Sequence, residues 1–363
     1  MRRIFIVFCA LVMTIAVALS GCSCNTTSPL SFNTNFYGEG ANATDLPQTY
    51  KEVCTYDVSY NANYNSALKM DSSLVDKVNV NYSGTYVTEF QGDTLKVPDS
   101  IVTDLHYEGD IHYFTTKLEL DVTVNDKVYH DQIFSEVYFY SAGQAFQPIY
   151  SKVIQKNTFI GVSIEPFSVN AQQQIYQYET TYNKNEFVTL NQSYNANSDE
   201  VASIDIYSLD KSKFVLMKDT ITSEYVSKQA IDNASLLFAI RNITLKEEAS
   251  YTLPTTSPSY SEPKSLTVKN VSESTYNLLA ISYNGQALEN VNLPVKNLTF
   301  VIGGTKNVGT QQNVVVQKAK SETFPYFNSL LIEYAESLSE ITSFSHLGAL
   351  VYKLNAVAIS GLN

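Results

Sequence analysis

The sequence predicts a mainly β protein: a curved antiparallel sheet, built as an open half-barrel or sandwich-like, with one short helix near residues 228–242. Three observations predict it. Long stretches alternate apolar and polar side chains with a period of two, as strands with one buried face do. Two-residue turn signals, Asn125-Asp126 and Asn284-Gly285, sit between or after such stretches. The composition is that of a packed chain, 44% hydrophobic and 17% charged with 14 Gly and 10 Pro in 363 residues, which excludes collagen, coiled coil and disorder.

The N-terminus reads as an address. Met1-Arg2-Arg3 is basic, and residues 4–18 are mostly apolar with no formal charge, a secretory h-region shorter than the roughly 20 residues of a comfortable membrane span. It runs into Leu19-Ser20-Gly21-Cys22, which resembles the bacterial lipobox. The resemblance implies that residues 1–21 are a lipoprotein signal peptide and that Cys22 carries the lipid as the first residue of the mature chain. Acyl chains such as palmitate gain about 0.8 kcal/mol per buried methylene, so two or three of them make a permanent anchor. The expected location is then the cell membrane or outer membrane, facing outside the cytoplasm, with the membrane as a partner only through that anchor.

Residues 22–49, with Asn25-Thr26-Thr27-Ser28-Pro29, are small, polar and weakly patterned, as in a flexible tether. The body is expected over residues 50–363, and no later apolar run is long enough to span a bilayer. The net charge is −12, and loss of Arg2 and Arg3 with the signal peptide lowers it by two, to −14. Such a body is repelled by anionic headgroups and lacks the basic surface that nucleic acid requires. Of four cysteines, Cys9 leaves with the signal peptide and Cys22 is modified, leaving Cys24 and Cys54. Cys54 shares a strand face with Tyr56, Val58 and Tyr60, so it reads as a buried apolar thiol.

Along the body, residues 77–90 place Val78, Val80, Tyr82, Gly84, Tyr86, Thr88 and Phe90 on one face, the strongest strand signal in the chain. Residues 112–124 repeat the pattern with Phe114, Leu118, Leu120, Val122 and Val124 inward, and Asn125-Asp126 turns them into an antiparallel neighbour over 127–140. Further strands are expected at 172–180, 202–207 and 214–217. Residues 228–242 carry Ile231, Ala234, Leu237, Phe238 and Arg241 at helical spacing without Gly or Pro. Pro254, Pro258 and Pro263 then interrupt the pattern, so residues 250–265 mark a surface loop or a boundary between two sub-domains. Alternation resumes at 266–271, 276–283, 297–302, 313–318, 330–334 and 347–359.

Three landmarks, Tyr56-Asp57-Val58-Ser59-Tyr60, residues 231–241 and Leu350-Val351-Tyr352-Lys353-Leu354, resemble those of a bacterial envelope family known only as a domain of unknown function. The resemblance implies an open antiparallel sheet similar to the half-barrels of lipoprotein-carrier proteins, and it carries no catalytic residue. The polar stretch around 185–200 departs from that family.

Chemical constellations are few. His106, Glu108, Asp110 and His112 would share a face on an unbroken strand and offer zinc-type ligands, but Glu108-Gly109-Asp110 reads better as a turn, which destroys the geometry. With four His and no Gly-x-Ser-x-Gly, no hydrolase skeleton is visible. The expectation is therefore a non-enzymatic protein with no metal and no cofactor. Its 26 Tyr, against no Trp, fill strand positions where a bulky body with one polar tip fits. Tyr56, Tyr60, Tyr82 and Tyr86, on inward faces, are the candidate ligand-binding residues of a concave sheet that holds a hydrophobic, envelope-derived or glycan molecule. A structural or adhesion-type surface protein that binds another macromolecule is the alternative.

Overall fold

The computed structural model describes residues 50–61, 79–92, 96–106, 111–142, 145–164, 167–217, 221–224, 231–241, 247–256, 264–303, 312–318, 330–337 and 348–361. The expected signal peptide, the expected lipobox with Cys22, the expected tether and Cys24 lie outside them, as do Glu108 and Asp110. Alternation becomes strand almost everywhere it occurs. The first seven strands are β1 (Tyr50–Asn61), β2 (Val80–Gly92), β3 (Ile111–Val124), β4 (Lys127–Ala142), β5 (Ala145–Ile164), β6 (Phe167–Tyr182) and β7 (Glu186–Tyr194). Three short ones follow, β8 (Phe214–Leu216), β9 (Ile221–Glu224) and β10 (Ile231–Asp232). The remainder are β11 (Ser250–Thr256), β12 (Lys264–Tyr283), β13 (Gln286–Ile302), β14 (Gln312–Gln317), β15 (Leu331–Ser337) and β16 (Ala349–Ser360).

All sixteen join one large curved sheet. The path starts at edge strand β10 and runs β11 to β16 in sequence, crosses to β1 and continues in sequence to β8, with β9 also on β7. Neighbours are antiparallel except for β10 with β11 and β12 with β16, which are parallel. Because β12 pairs with both β13 and β16, strands β12–β16 form a closed circuit, whereas β1–β8 form an open ladder.

Turn chemistry fixes the two best hairpins. Asn125 and Asp126 have φ 48° and 69°, and Asn284 and Gly285 have φ 48° and 81°, the left-handed pair that matches the twist of flanking strands. Bulges near Tyr138/Phe139 and Asn270/Ser272 bend β4 and β12. At Gly84, a Cβ would lie 2.0 Å from the Glu119 carbonyl oxygen. No side chain fits there, so β2 and β3 approach at this point as only glycine permits.

The sequence reading needs correction at several elements. Residues 202–207 are not a strand: α1 (Ser198–Ser203) ends there, and a 3-10 turn follows at Ile206–Ser208. Local caps win over alternation, since Asn197 and Glu200 close a capping box and the Asp205 carboxylate accepts from the Tyr207 amide. Among the described residues of the helix expected near 228–242, Ile231–Asp232 is strand β10, Asn233–Ser235 a 3-10 turn, and α2 (Leu236–Arg241) is α-helical. Residues 250–256 belong to the sheet as β11, and β12 resumes beside it at Lys264. Strands β5 and β7 were not anticipated.

The inner face of the curve carries the apolar side of β2, β3 and β4. Phe238 of α2 drops into it, stacked 4.5 Å from Phe90 with the rings within 18° of parallel, 5.2 Å from Phe114 and 5.5 Å from Phe139. The outer face is not bare, as a one-sided sheet would have it: residues 196–214 cover it at β6, with Val201 and Tyr194 packed on Ile175.

Candidate functional site

Two buried polar anchors fasten α2 inside the curve. At its N-terminal side, Asp232 is fully buried. Its Oδ2 accepts from Ser151 Oγ of β5 at 2.6 Å and from the Tyr182 hydroxyl of β6, and its Oδ1 accepts from the Ala234 amide at 2.7 Å. Edge strand β10 thereby touches β5 and β6, which lie near the other end of the strand order, so the sheet curls until its first strand reaches strands close to its last. At the C-terminal end, Arg241 forms a two-pronged pair with Glu52 of β1, at 2.5 Å and 3.1 Å, and both residues are 4% exposed. The guanidinium fork matches a carboxylate in a way that lysine cannot. Arg241 is the only arginine beyond residue 3 in a chain otherwise served by lysine.

Between the helix and the sheet lies a cavity of about 450 Å³. Its lining comes from β2 to β6 on one side, β13 to β16 on the other, and residues 233–237 above. The apolar wall is Leu118, Ile133 and Val153 with Leu236 and Leu237 of the helix. Beside it the lining is aromatic and polar, beginning at Tyr86, the register partner of Leu118, and continuing through Tyr334, Tyr352, Gln312 and Glu336. Here the rings run in a ladder, Phe300 on Tyr334 at 6.2 Å, Tyr334 on Tyr352 at 5.1 Å, and Tyr86 edge-on to Tyr352 at 5.2 Å. Such offset and edge arrangements suit the ring quadrupole.

Polar tips on this wall are partly tied to one another. The Tyr334 hydroxyl donates to Gln312 Oε1, the Tyr352 hydroxyl donates to Glu336 Oε2 at 3.0 Å, and Thr116 and Ser135 share a 2.6 Å hydrogen bond on the floor. Burial pushes the Glu336 carboxyl above the usual carboxylate range, against the Tyr352 hydrogen bond, which favours its ionised form. Burial likewise raises Tyr86 and Tyr352, so both phenols stay neutral donors. Among the described residues that line the cavity there is no lysine, arginine or histidine.

Of the four tyrosines expected to bind a ligand, Tyr86 lines the cavity. Tyr56 lies beside it, ring centroids 5.7 Å apart, but is buried with its hydroxyl on the Leu331 carbonyl at 3.2 Å. Tyr60 and Tyr82 pair with each other at 5.4 Å farther along β1 and β2, outside the lining. Sequence reasoning missed Tyr334, Glu336 and Tyr352. The signal was present: had the alternation at 330–334 been carried two residues farther, Glu336 would have fallen on the face of Tyr334. Cys54 is buried and unbridged. His112 follows the apolar face of β3, its ring 5.6 Å from Phe90 and 5.5 Å from Phe139, while His106 is exposed. Among the described residues no group of three His, Cys, Asp or Glu is placed to hold a metal.

No protein-family model, curated protein or solved structure matches the chain.

Proposed function

We propose that the protein is a surface-anchored extracytoplasmic lipoprotein, held to the membrane through Cys22, that binds or carries a small envelope-derived molecule and performs no chemistry on it. The observation that supports this reading best is the cavity. Its volume of about 450 Å³ lies in the range of small-molecule sites, roughly 300–1,000 Å³, and its lining combines apolar with hydrogen-bonding side chains as such sites do. The lipobox and the acidic charge support the location, with the body standing off the membrane on its tether.

Native mass spectrometry of the lipidated chain, gently extracted from a bacterial host, tests the reading. A non-covalent adduct is expected beyond the lipid on Cys22, and Leu237→Trp, which fills the cavity, should abolish it. Absence of any adduct from the well-folded wild-type chain, or its persistence in a folded Leu237→Trp variant, overturns the binding reading. Incorporation of labelled palmitate that survives Cys22→Ser overturns the anchor.

A further inference from the structure

The described buried carboxylates outside the cavity are saturated. Glu52 faces Arg241, Asp232 has three donors, and Asp131 accepts from the Thr158 amide, the Thr158 hydroxyl and Gln173 at 2.6–2.8 Å. Glu336 is different. It lines the cavity with one donor, the Tyr352 hydroxyl, for a group with about four acceptor positions. It is also the single formally charged side chain among the described lining residues.

What surrounds it is aromatic. Tyr334 and Tyr352 are stacked within 29° of parallel, and Tyr86 stands edge-on at 74°. Ring faces and a carboxylate around one space attract a positive group that is weakly hydrated, such as a substituted ammonium. A second anion beside Glu336 would have no counter-charge and would lose its water as well. Beginning beside Tyr86 at its register partner Leu118, the residues Leu118, Ile133, Val153, Leu236 and Leu237 form a surface for an alkyl or aryl body.

Resting on the binding reading above, we infer that the cavity takes an amphiphilic organic cation, its ammonium group against Glu336 among the tyrosines and its apolar body on the aliphatic wall. The experiment titrates the full chain with three probes of equal chain length: decyltrimethylammonium, decanol and decanoate. Tyrosine emission reports binding without interference, because there are 26 Tyr and no Trp. The ammonium probe should bind at least about tenfold tighter than decanol, the scale of a desolvated cation–aromatic contact, and decanoate weaker than either. Glu336→Gln should bring the ammonium probe down to the level of decanol and leave decanol unchanged, whereas Glu336→Asp, which keeps the charge, should retain the preference. Decanol or decanoate binding as tightly as the ammonium probe overturns the inference, as does an ammonium preference that survives Glu336→Gln. Failure of all three probes to bind, with a native adduct still present, also overturns the cation class while leaving the binding reading intact.

Discussion

The two halves of the sheet solve the same problem differently. Strands β12–β16 close on themselves: the tip of the β12–β13 hairpin returns to β16, where Ser282 and Tyr283 pair with Ala356 and Val357. Asn284 donates its amide to the Val357 carbonyl at 2.9 Å and accepts from the Ile359 amide on its side chain at 2.7 Å. Strands β1–β8 have no such closure, and their inner face is completed by α2, a six-residue helix that enters from the far edge of the sheet. An isolated helix of that length is not stable in water. It persists because Asp232, Phe238 and Arg241 hold it, so the open half depends on three side chains where the closed half depends on its own ladder.

That contrast can be broken first at Arg241. Arg241→Ala leaves the buried Glu52 without its counter-charge, which costs roughly 3–5 kcal/mol. Amide hydrogen exchange should quicken first and furthest in β2–β4, under the released helix, while β13–β15 keep their protection. Equal loss in both halves would show that they unfold as one and would end the distinction.

The other anchor sharpens the contrast through pH. Burial raises the Asp232 carboxyl above its ordinary value, against the hydrogen bonds from Ser151, Tyr182 and the Ala234 amide. The folded chain therefore holds that proton more tightly than the unfolded chain. The associated stability is present below the unfolded value, near 4, and is lost as pH rises through the raised folded value. Asp131 and Glu336 are raised in the same direction by the same cause. Urea unfolding between neutral pH and the ordinary carboxylate range should show the stability of the wild type relative to Asp232→Asn rising as pH falls. An identical slope in the variant would remove Asp232 as a titrating anchor.

The smallest effect belongs to the closed half. Asn284→Ala places a methyl side chain at φ 48°, at about 1 kcal/mol, and deletes the hydrogen bond to Ile359, at about 1 kcal/mol more. Exchange should rise at the seam between β12 and β16 and stay unchanged in β2–β4. A response in β2–β4 would mean that the seam also supports the helix.

How much of this was legible depends on whether a segment's neighbours are near in sequence. Strands β2, β3 and β4 pair with adjacent chain, bury one face and leave the other largely wet, so alternation and Asn125-Asp126 were enough. Strand β5 hid because its outer side is also covered: Lys156 is 2% exposed with its ammonium on the Ile204 carbonyl, which blurs the polar-out pattern. Helix α1 carried its capping box in plain sight at Asn197 and Glu200, but six residues make no periodicity to notice. The residue spacing at 231–241 was real, yet Ile231 is buried because it sits in the sheet and Phe238 because it sits under it. The cavity was the least legible feature, since Tyr86 and Glu336 are brought to one space only by the crossing from β16 to β1.

The solitary arginine of the body has one more consequence. A protease that cuts only after arginine needs that side chain in its specificity pocket, and in the folded chain Arg241 is held against Glu52. Apart from the bonds after Arg2 and Arg3, such an enzyme should leave the folded protein whole and sever it once, after position 241, each time the helix comes loose. The rate of that single scission would count the excursions of α2 and would slow whenever a molecule in the cavity holds it down.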